Sequence, residues 1–174
     1  MRSFPVSVRN ITAGLKRFWL HAPMEEECPA QPCVLAVIER AELRAAIVEC
    51  LSAYGSVQFA GSLDEALQSL AHLPVSVVLC DRETPGLDWR HALSRLAAAP
   101  YRACVILLAP VVGQQLWEEA TACGGYDVLP SSASDALLRT VQAAYSHWRC
   151  QRALDAEQRP NKDAEQRPNK PATK

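Results

Sequence analysis

The sequence has almost no excess charge of either sign and no long apolar run. Its formal net charge is -1 over 174 residues. This balance offers no basic footprint for a nucleic acid, so we expect no DNA- or RNA-binding domain. No stretch approaches the roughly 18 consecutive apolar residues that a membrane-spanning helix requires. Arg9, Lys16 and Arg17 interrupt the first apolar segment, which argues against a secretory signal. We therefore expect a cytoplasmic protein without an integral membrane segment.

Paired cysteine motifs are also missing. The chain has seven cysteines, an odd number, and none of them form a C-x-x-C pair. The four histidines fall in different segments, so no cysteine–histidine cluster has the spacing of a zinc site. Several cysteines lie inside apolar runs, where a thiol behaves as a small buried hydrophobic group. The sequence therefore predicts neither a disulfide framework nor a metal–thiolate site.

The two ends of the chain differ from its middle. Residues 1–31 start with a basic stretch and are predicted to form a flexible N-terminal arm. A short amphipathic helix that binds a membrane surface or a partner groove is the alternative for this arm. Residues 151–174 contain the octapeptide Asp-Ala-Glu-Gln-Arg-Pro-Asn-Lys twice in succession. Because the repeat is too short and too polar to stack, we predict a disordered tail and place the folded domain at 32–150.

Within 32–150, short apolar runs alternate with segments of helical periodicity. The predicted strands are 34–38, 56–60, 75–80, 103–109 and 126–129. Helix-start signals support the segments between them: Ser62 with Glu65 forms a capping box, and Asp88 precedes an apolar helix face. Five strand–helix units with short connections predict an α/β fold with a parallel sheet covered on both faces. Ligands of such sheets bind outside the carboxyl ends of the strands.

The third predicted strand ends at Asp81, and Arg-Glu-Thr-Pro-Gly-Leu-Asp follows at 82–88. A strand, an aspartate and then x-x-x-Pro-Gly resembles the response-regulator receiver family of bacterial two-component systems. Gly-Gly-Tyr-Asp-Val-Leu at 124–129 resembles the start of the family's fifth strand. The resemblance covers about residues 33–148. It implies a flavodoxin-like, doubly wound sheet of five parallel strands in the order 2-1-3-4-5, with helices on both faces.

The resemblance also implies roles for single residues. The family's aspartate at the end of strand three accepts a phosphoryl group from a histidine kinase, and Asp81 stands at that position. An acidic pair after strand one binds magnesium with this aspartate; here the pair's places hold Ile38 and Glu39. Because Ile38 offers no oxygen, the implied magnesium site is weak and consists of Glu39, Asp81 and the backbone carbonyl of Glu83.

Two further family positions have lost their chemistry. Ala109 stands where the family has a threonine or serine, and Ser131 stands where it has a lysine. Arg82 or Arg40 could supply positive charge, but neither occupies the lysine's position. Phosphoryl transfer depends on charge neutralisation, and the loss of one positioned donor costs on the order of 10²–10³ in rate. The chain is therefore interpreted as a degenerate receiver.

The leading hypothesis is a stand-alone pseudo-receiver protein, not an enzyme, that acts in a phosphorelay by phosphorylation-independent binding of a histidine kinase or another signalling protein. Members of the family often dock or dimerise through helix four, strand five and helix five, so this hypothesis also allows a homodimer. That face would include the aromatic residues Trp117, Tyr126, Tyr145 and Trp148, unless they belong to the core.

Two other functions stay open at this point. A working phosphoacceptor would use Asp81 with weak magnesium support from Glu39. A flavodoxin-like small-molecule binder is disfavoured, because Glu-Arg-Ala-Glu stands at 39–42, where a glycine-rich phosphate loop would follow strand one.

Overall fold

The computed structural model describes residues 29–99 and 102–157, in which five strands alternate with five helices. The elements are β1 Cys33–Val37, α1 Ala41–Leu51, β2 Ser56–Ala60, α2 Leu63–His72, β3 Val77–Asp81, α3 Trp89–Ala97, β4 Cys104–Ala109, α4 Gln114–Ala122, β5 Asp127–Pro130 and α5 Ser134–Glu157. The predictions for the N-terminal arm up to residue 28 and for the tail from residue 158 lie outside the described residues. None of the described helices is long and apolar enough to cross a membrane.

The five strands form one parallel sheet in the order β2-β1-β3-β4-β5. The predicted fold class and strand order are therefore confirmed. Every residue of β3 and β4 is buried, because helices cover both faces of the sheet at its centre. Val37 at the end of β1 is in register with Cys80, and Asp81 is in register with Leu108. The carboxyl ends of the central strands thus lie side by side.

The core consists of two apolar clusters, one on each face of the sheet. Alternate residues of a strand point to opposite faces. Leu35 and Val37 therefore belong to the cluster that includes residues of α2, α3 and α4, whereas Ala36 and Ile38 belong to the cluster that includes residues of α1 and α5. Trp89 belongs to the first cluster and is a core residue. Both faces of the sheet are therefore closed by apolar packing, and polar chemistry is confined to its edges.

Side chains cap two helices as their sequences predict. A carboxylate oxygen of Asp88 accepts hydrogen bonds from the backbone nitrogens of Arg90 and His91 at the start of α3. The hydroxyl of Ser62 accepts one from the backbone nitrogen of Glu65 in α2. These caps satisfy N–H groups that have no partner within the helix.

Gly55 follows α1 in the sequence but does not form its C-terminal cap. The helix ends at Leu51, and residues 52–54 form a turn before β2. Gly55 is instead required by close packing: a Cβ there would lie 2.7 Å from Cγ of Pro32 and closer still to its carbonyl oxygen. Glycine is therefore explained by this approach rather than by a left-handed helix cap.

The last helix continues past the predicted domain boundary at residue 150. Residues 151–157 belong to α5, and their sequence, Gln-Arg-Ala-Leu-Asp-Ala-Glu, is rich in residues with high helix propensity. The guanidinium of Arg152 lies over the ring of Trp148, 5.2 Å from its centroid, and ties this extension to the core. The folded part thus includes seven residues that were assigned to the tail.

Candidate functional site

Polar side chains from three segments meet at the carboxyl edge of the sheet. Asp81 is the last residue of β3, Arg40 immediately precedes α1, and Ser131 follows β5. Because the strands are parallel, their carboxyl ends share one edge, and the residues that follow them become neighbours. Asp81 is fully buried, with 0% of its surface exposed. A buried carboxylate must be compensated by donors or by a cation.

Arg40 supplies that compensation. Its Nε donates to Oδ2 of Asp81 at 2.8 Å, and its Nη2 donates to Oδ1 at 3.0 Å. The planar guanidinium matches the carboxylate at two points, which is the strongest form of ion pair between side chains. The backbone nitrogen of Glu83 donates a third hydrogen bond, to Oδ1 at 3.1 Å. Both carboxylate oxygens are therefore engaged.

The same guanidinium reaches two more segments. Its Nη1 lies 3.0 Å from Oε2 of Glu83, and its Nη2 donates a longer hydrogen bond to Oγ of Ser131 at 3.4 Å. The hydrogen bond to Asp81 raises the pKa of Arg40 above its ordinary value, and desolvation acts against it. One positive charge thus joins the β1–α1, β3–α3 and β5–α5 connections.

A Pro-Gly turn follows Asp81 and Glu83 in the β3–α3 connection. The backbone nitrogen of Leu87 donates to the carbonyl of Thr84, and Gly86 between them has a φ of 71°. Proline at the second position and a positive φ at the third define a type II turn. The hydroxyl of Thr84 also donates to the carbonyl of Val37, at 3.4 Å. The turn therefore holds the loop against the end of β1.

The structure places four other residues that the resemblance singled out as follows. Ile38 is 1% exposed and packs in the α1–α5 cluster. Glu39 is exposed. Ala109 is buried, and its carbonyl accepts a hydrogen bond from the backbone nitrogen of Ser131 at 2.9 Å. Ser131 contacts Arg40 through its hydroxyl and brings no charge to the site.

In the observed arrangement, the residues around Asp81 do not provide a set of ligands that fits a magnesium ion. Magnesium demands oxygen ligands in near-octahedral geometry and dehydrates reluctantly. Both oxygens of Asp81 are bonded to a guanidinium, and Ile38 presents only carbon. Across residues 29–99 and 102–157, no three His, Cys, Asp or Glu side chains lie together as a set of metal ligands. The predicted ligands Glu39, Asp81 and the carbonyl of Glu83 stay a prediction.

Arg40 is the site residue whose role the sequence left unassigned. The sequence offered Arg40 and Arg82 as alternative sources of positive charge. The structure brings the side chain of Arg40 to Asp81. The side chain of Arg82 is exposed instead, and its backbone nitrogen donates a hydrogen bond to the carbonyl oxygen of Leu108. The signal in the sequence that could have identified Arg40 was its position: it follows β1, and Asp81 ends β3 at the same edge of the sheet.

The four aromatic residues near α4, β5 and α5 differ in burial and fall into three groups. Tyr145 and Trp148 are 5% and 1% exposed and belong to the core, and the hydroxyl of Tyr145 donates to the carbonyl of Pro29. Trp117 is 46% exposed, and its indole nitrogen donates to Asp127 at 3.3 Å. Tyr126 is half-buried beside the ring of His147. Only Trp117 of this set is thus presented as a large exposed aromatic surface.

No protein-family model matches the chain, and neither does any curated protein. Solved structures do match it. A response regulator from Thermotoga maritima is 22% identical with a TM-score of 0.60, over 67% of this chain and 98% of that one. The signal receiver domain of an HD domain-containing protein from Pseudomonas fluorescens Pf-5 is 25% identical with a TM-score of 0.64, over 71% and 93%. A CheY-like protein (tadZ) from Pseudomonas aeruginosa PAO1 is 18% identical with a TM-score of 0.57, over 66% and 99%. The chain therefore has the fold of response-regulator receiver domains.

Proposed function

We propose that this receiver-fold chain is a degenerate signalling module of a two-component pathway, which acts by binding a protein partner while Asp81 stays unphosphorylated. The observation that carries the proposal is the burial of Asp81 beneath Arg40, with both carboxylate oxygens engaged. The partner class is a histidine kinase or another signalling protein.

The chemistry of the site supports this reading. A carboxylate that attacks phosphorus needs a free oxygen, and access for the donor in line with the bond that breaks. Here the guanidinium covers the carboxylate and would have to be displaced first. Ala109 has no hydroxyl and Ser131 no charge to bind the transferred phosphoryl group, and each missing donor costs on the order of 10²–10³ in rate. Phosphorylation of Asp81 is thus disfavoured for two reasons: the guanidinium blocks access to the carboxylate, and the groups that would bind the transferred phosphoryl group are missing.

An exposed aromatic side chain supports the binding role. Trp117 on α4 keeps 46% of its surface exposed, and Val111 in the preceding loop keeps 76%. Tryptophan is enriched at the centres of protein interfaces because it combines a large apolar area with a polar edge. A partner that packs on the exposed face of α4 would bury Trp117. A second copy of the chain is the alternative occupant of this surface.

A working phosphoacceptor is the second candidate function. It is favoured by one observation: Asp81 ends β3 and is followed by the Pro-Gly turn, as in the family. In that case a phosphodonor would have to displace Arg40, and the freed guanidinium would then face the new phosphoryl group.

Phosphorylation can be tested on the purified protein. Wild type and Asp81→Asn are incubated with magnesium and a small phosphodonor, under conditions that phosphorylate a standard receiver, and their intact masses are measured. We expect neither protein to gain a phosphoryl group. An adduct on the wild type that is absent from Asp81→Asn would establish the second candidate and refute the first.

A genetic comparison tests the signalling role. In the organism that makes the protein, an Asp81→Asn allele is expected to support the same signalling output as the wild type, whereas Trp117→Ala is expected to reduce it. Protein levels and folding of both variants are checked first. If Asp81→Asn behaves like a deletion while its protein is folded and present, phosphorylation-independent action is contradicted.

A further inference from the structure

We infer that Arg40 is the resident cation of this site and excludes divalent metal ions from Asp81, so that the edge of the sheet is held in one arrangement at any magnesium concentration. The inference deepens the proposed function and rests on it in one respect, namely that Asp81 stays unphosphorylated. Its test measures metal binding and not phosphorylation, so the two can fail separately.

Access to the carboxylate carries the first part of the inference. Asp81 has no exposed surface, whereas 36% of the Arg40 side chain is exposed above it. A metal ion that approached from solvent would therefore meet the guanidinium before any oxygen of Asp81. It would also have to break two hydrogen bonds of 2.8 and 3.0 Å.

The positive charge of Arg40 supports the second part of the inference. Two carboxylates face the guanidinium: Asp81 on Nε and Nη2, and Glu83 on Nη1 at 3.0 Å. A divalent ion would need the Asp81 carboxylate as a ligand, and the positive charge of the guanidinium on that carboxylate repels it. The guanidinium is covalently tethered to the chain by its own side chain, so it competes at an effective concentration that does not depend on the solution.

The contacts of Arg40 indicate the effect of having a cation that is covalently attached to the chain. From its own place after β1, Arg40 reaches Asp81 and Glu83 at the end of β3 and Ser131 after β5, so it joins connections that follow three different strands. An exchangeable ion would link these connections only while bound. A tethered cation links them in every molecule, which suits a module whose partner must recognise one constant surface.

Manganese binding tests the inference, because the free ion can be measured by electron paramagnetic resonance. Wild type is compared with Arg40→Gln, which removes the charge but keeps amide donors close to Asp81, and with Arg40→Lys, which keeps the charge. The double variant Arg40→Gln/Asp81→Asn removes the carboxylate as well. Circular dichroism and a thermal melt establish that each variant is folded.

We expect wild type and Arg40→Lys to leave manganese free. Arg40→Gln should bind it with an apparent Kd lower by about tenfold or more, since a unit charge at contact distance is removed. The double variant should lose this gain. Manganese binding by the wild type at Asp81, or equal absence of binding in wild type and Arg40→Gln, would overturn the inference. In the second case the missing oxygen at Ile38, and not Arg40, would be what excludes the metal.

Discussion

The guanidinium of Arg40 covers the carboxylate of Asp81, with Nε and Nη2 donating to the two carboxylate oxygens at 2.8 and 3.0 Å. This pair keeps a negative charge fully buried at the carboxyl edge of the sheet. Its counterion is a side chain of the same chain, which a change of solution cannot remove. The stability of the fold and the chemistry of Asp81 are thereby coupled through one residue.

Removal of Arg40 should destabilise the protein. In Arg40→Ala the carboxylate of Asp81 stays buried without its cation, and we expect a loss of about 2–4 kcal/mol in the free energy of unfolding. The value is set below that of a fully buried pair, because the outer face of Arg40 is solvated. Urea unfolding followed by circular dichroism measures it.

The exposed ion pair between Arg90 and Glu119 provides the matched control. Glu119→Gln should leave the free energy of unfolding close to that of the wild type, since solvent screens this pair. Arg40→Ala should also cost less in an Asp81→Asn background, where no buried charge remains. Equal losses in both backgrounds would show that Arg40 stabilises through packing and not through Asp81.

The close approach of Gly55 to Pro32 predicts a steric effect. Gly55→Ala would place a Cβ against the ring and carbonyl of Pro32, so we expect a loss of about 1–3 kcal/mol. In Gly61→Ala the new Cβ meets only a carboxylate oxygen of Glu65 at 3.4 Å, an ordinary contact. That variant should shift the free energy of unfolding by no more than about 1 kcal/mol. Thermal melts of the two variants test this difference in stability, and similar melting temperatures would contradict the close packing at Gly55.

Buried thiols should make the protein sensitive to alkali. Burial raises the pKa of Cys80 to about 12, with the charge of Asp81 adding to it, and burial raises the pKa of Cys104 to about 11. In the unfolded chain a thiol ionises near its ordinary pKa of about 9. The folded state therefore holds protons that the unfolded state releases, and stability is complete below about pH 9 and falls as the pH rises towards 12.

Each such thiol contributes a slope of at most about 1.4 kcal/mol per pH unit in this window. Cys80→Ala should therefore show a shallower fall in the free energy of unfolding between pH 9 and 11 than the wild type, whatever its stability at neutral pH. Cys150→Ala, which alters an exposed cysteine, serves as the control and should keep the wild-type slope. An unchanged slope in Cys80→Ala would contradict the role of this thiol.

The two tryptophans near the α4–β5–α5 face should respond differently to substitution. Trp148 is 1% exposed, so Trp148→Ala is expected to cost about 3–5 kcal/mol and to reduce solubility. Trp117 is 46% exposed, and Trp117→Ala should change the free energy of unfolding by less than about 1 kcal/mol. Denaturant unfolding curves compare the two. A large loss in Trp117→Ala would remove it from the candidate interface and place it in the core.

The fold could be predicted because its signals are local. The central strands β3 and β4 are buried on both faces and therefore read as continuous apolar runs. Asp88 and Ser62 mark helix starts through hydrogen bonds to residues only two or three positions away. The place of the candidate site followed as well, since Asp81 ends an apolar run and parallel strands end at one edge.

The occupant of the site could not be predicted in the same way. Glu39 and Arg40 are consecutive, and sequence alone does not decide which of them turns towards Asp81. That choice depends on how the backbone continues after Ile38, which is buried in the cluster that includes residues of α1 and α5. The burial of Tyr145 and Trp148 was undecided for a similar reason, because an aromatic stripe on a helix suits a core and an interface equally well. The extension of α5 to Glu157 has local support in its helix-forming residues and in the contact of Arg152 with Trp148 four positions earlier. The polar octapeptide that begins at residue 155 instead favoured a tail.

The ion pair between Arg40 and Asp81 can be observed directly in solution by NMR of the arginine Nε–H groups. The Arg40 signal is assigned by its loss in Arg40→Lys, and exposed Arg82 serves as the reference. We predict that the Nε–H of Arg40 exchanges with water more slowly than that of Arg82, that magnesium leaves its exchange unchanged, and that Asp81→Ala abolishes the protection. Exchange as fast as that of Arg82, or a release of the protection by magnesium, would contradict the account.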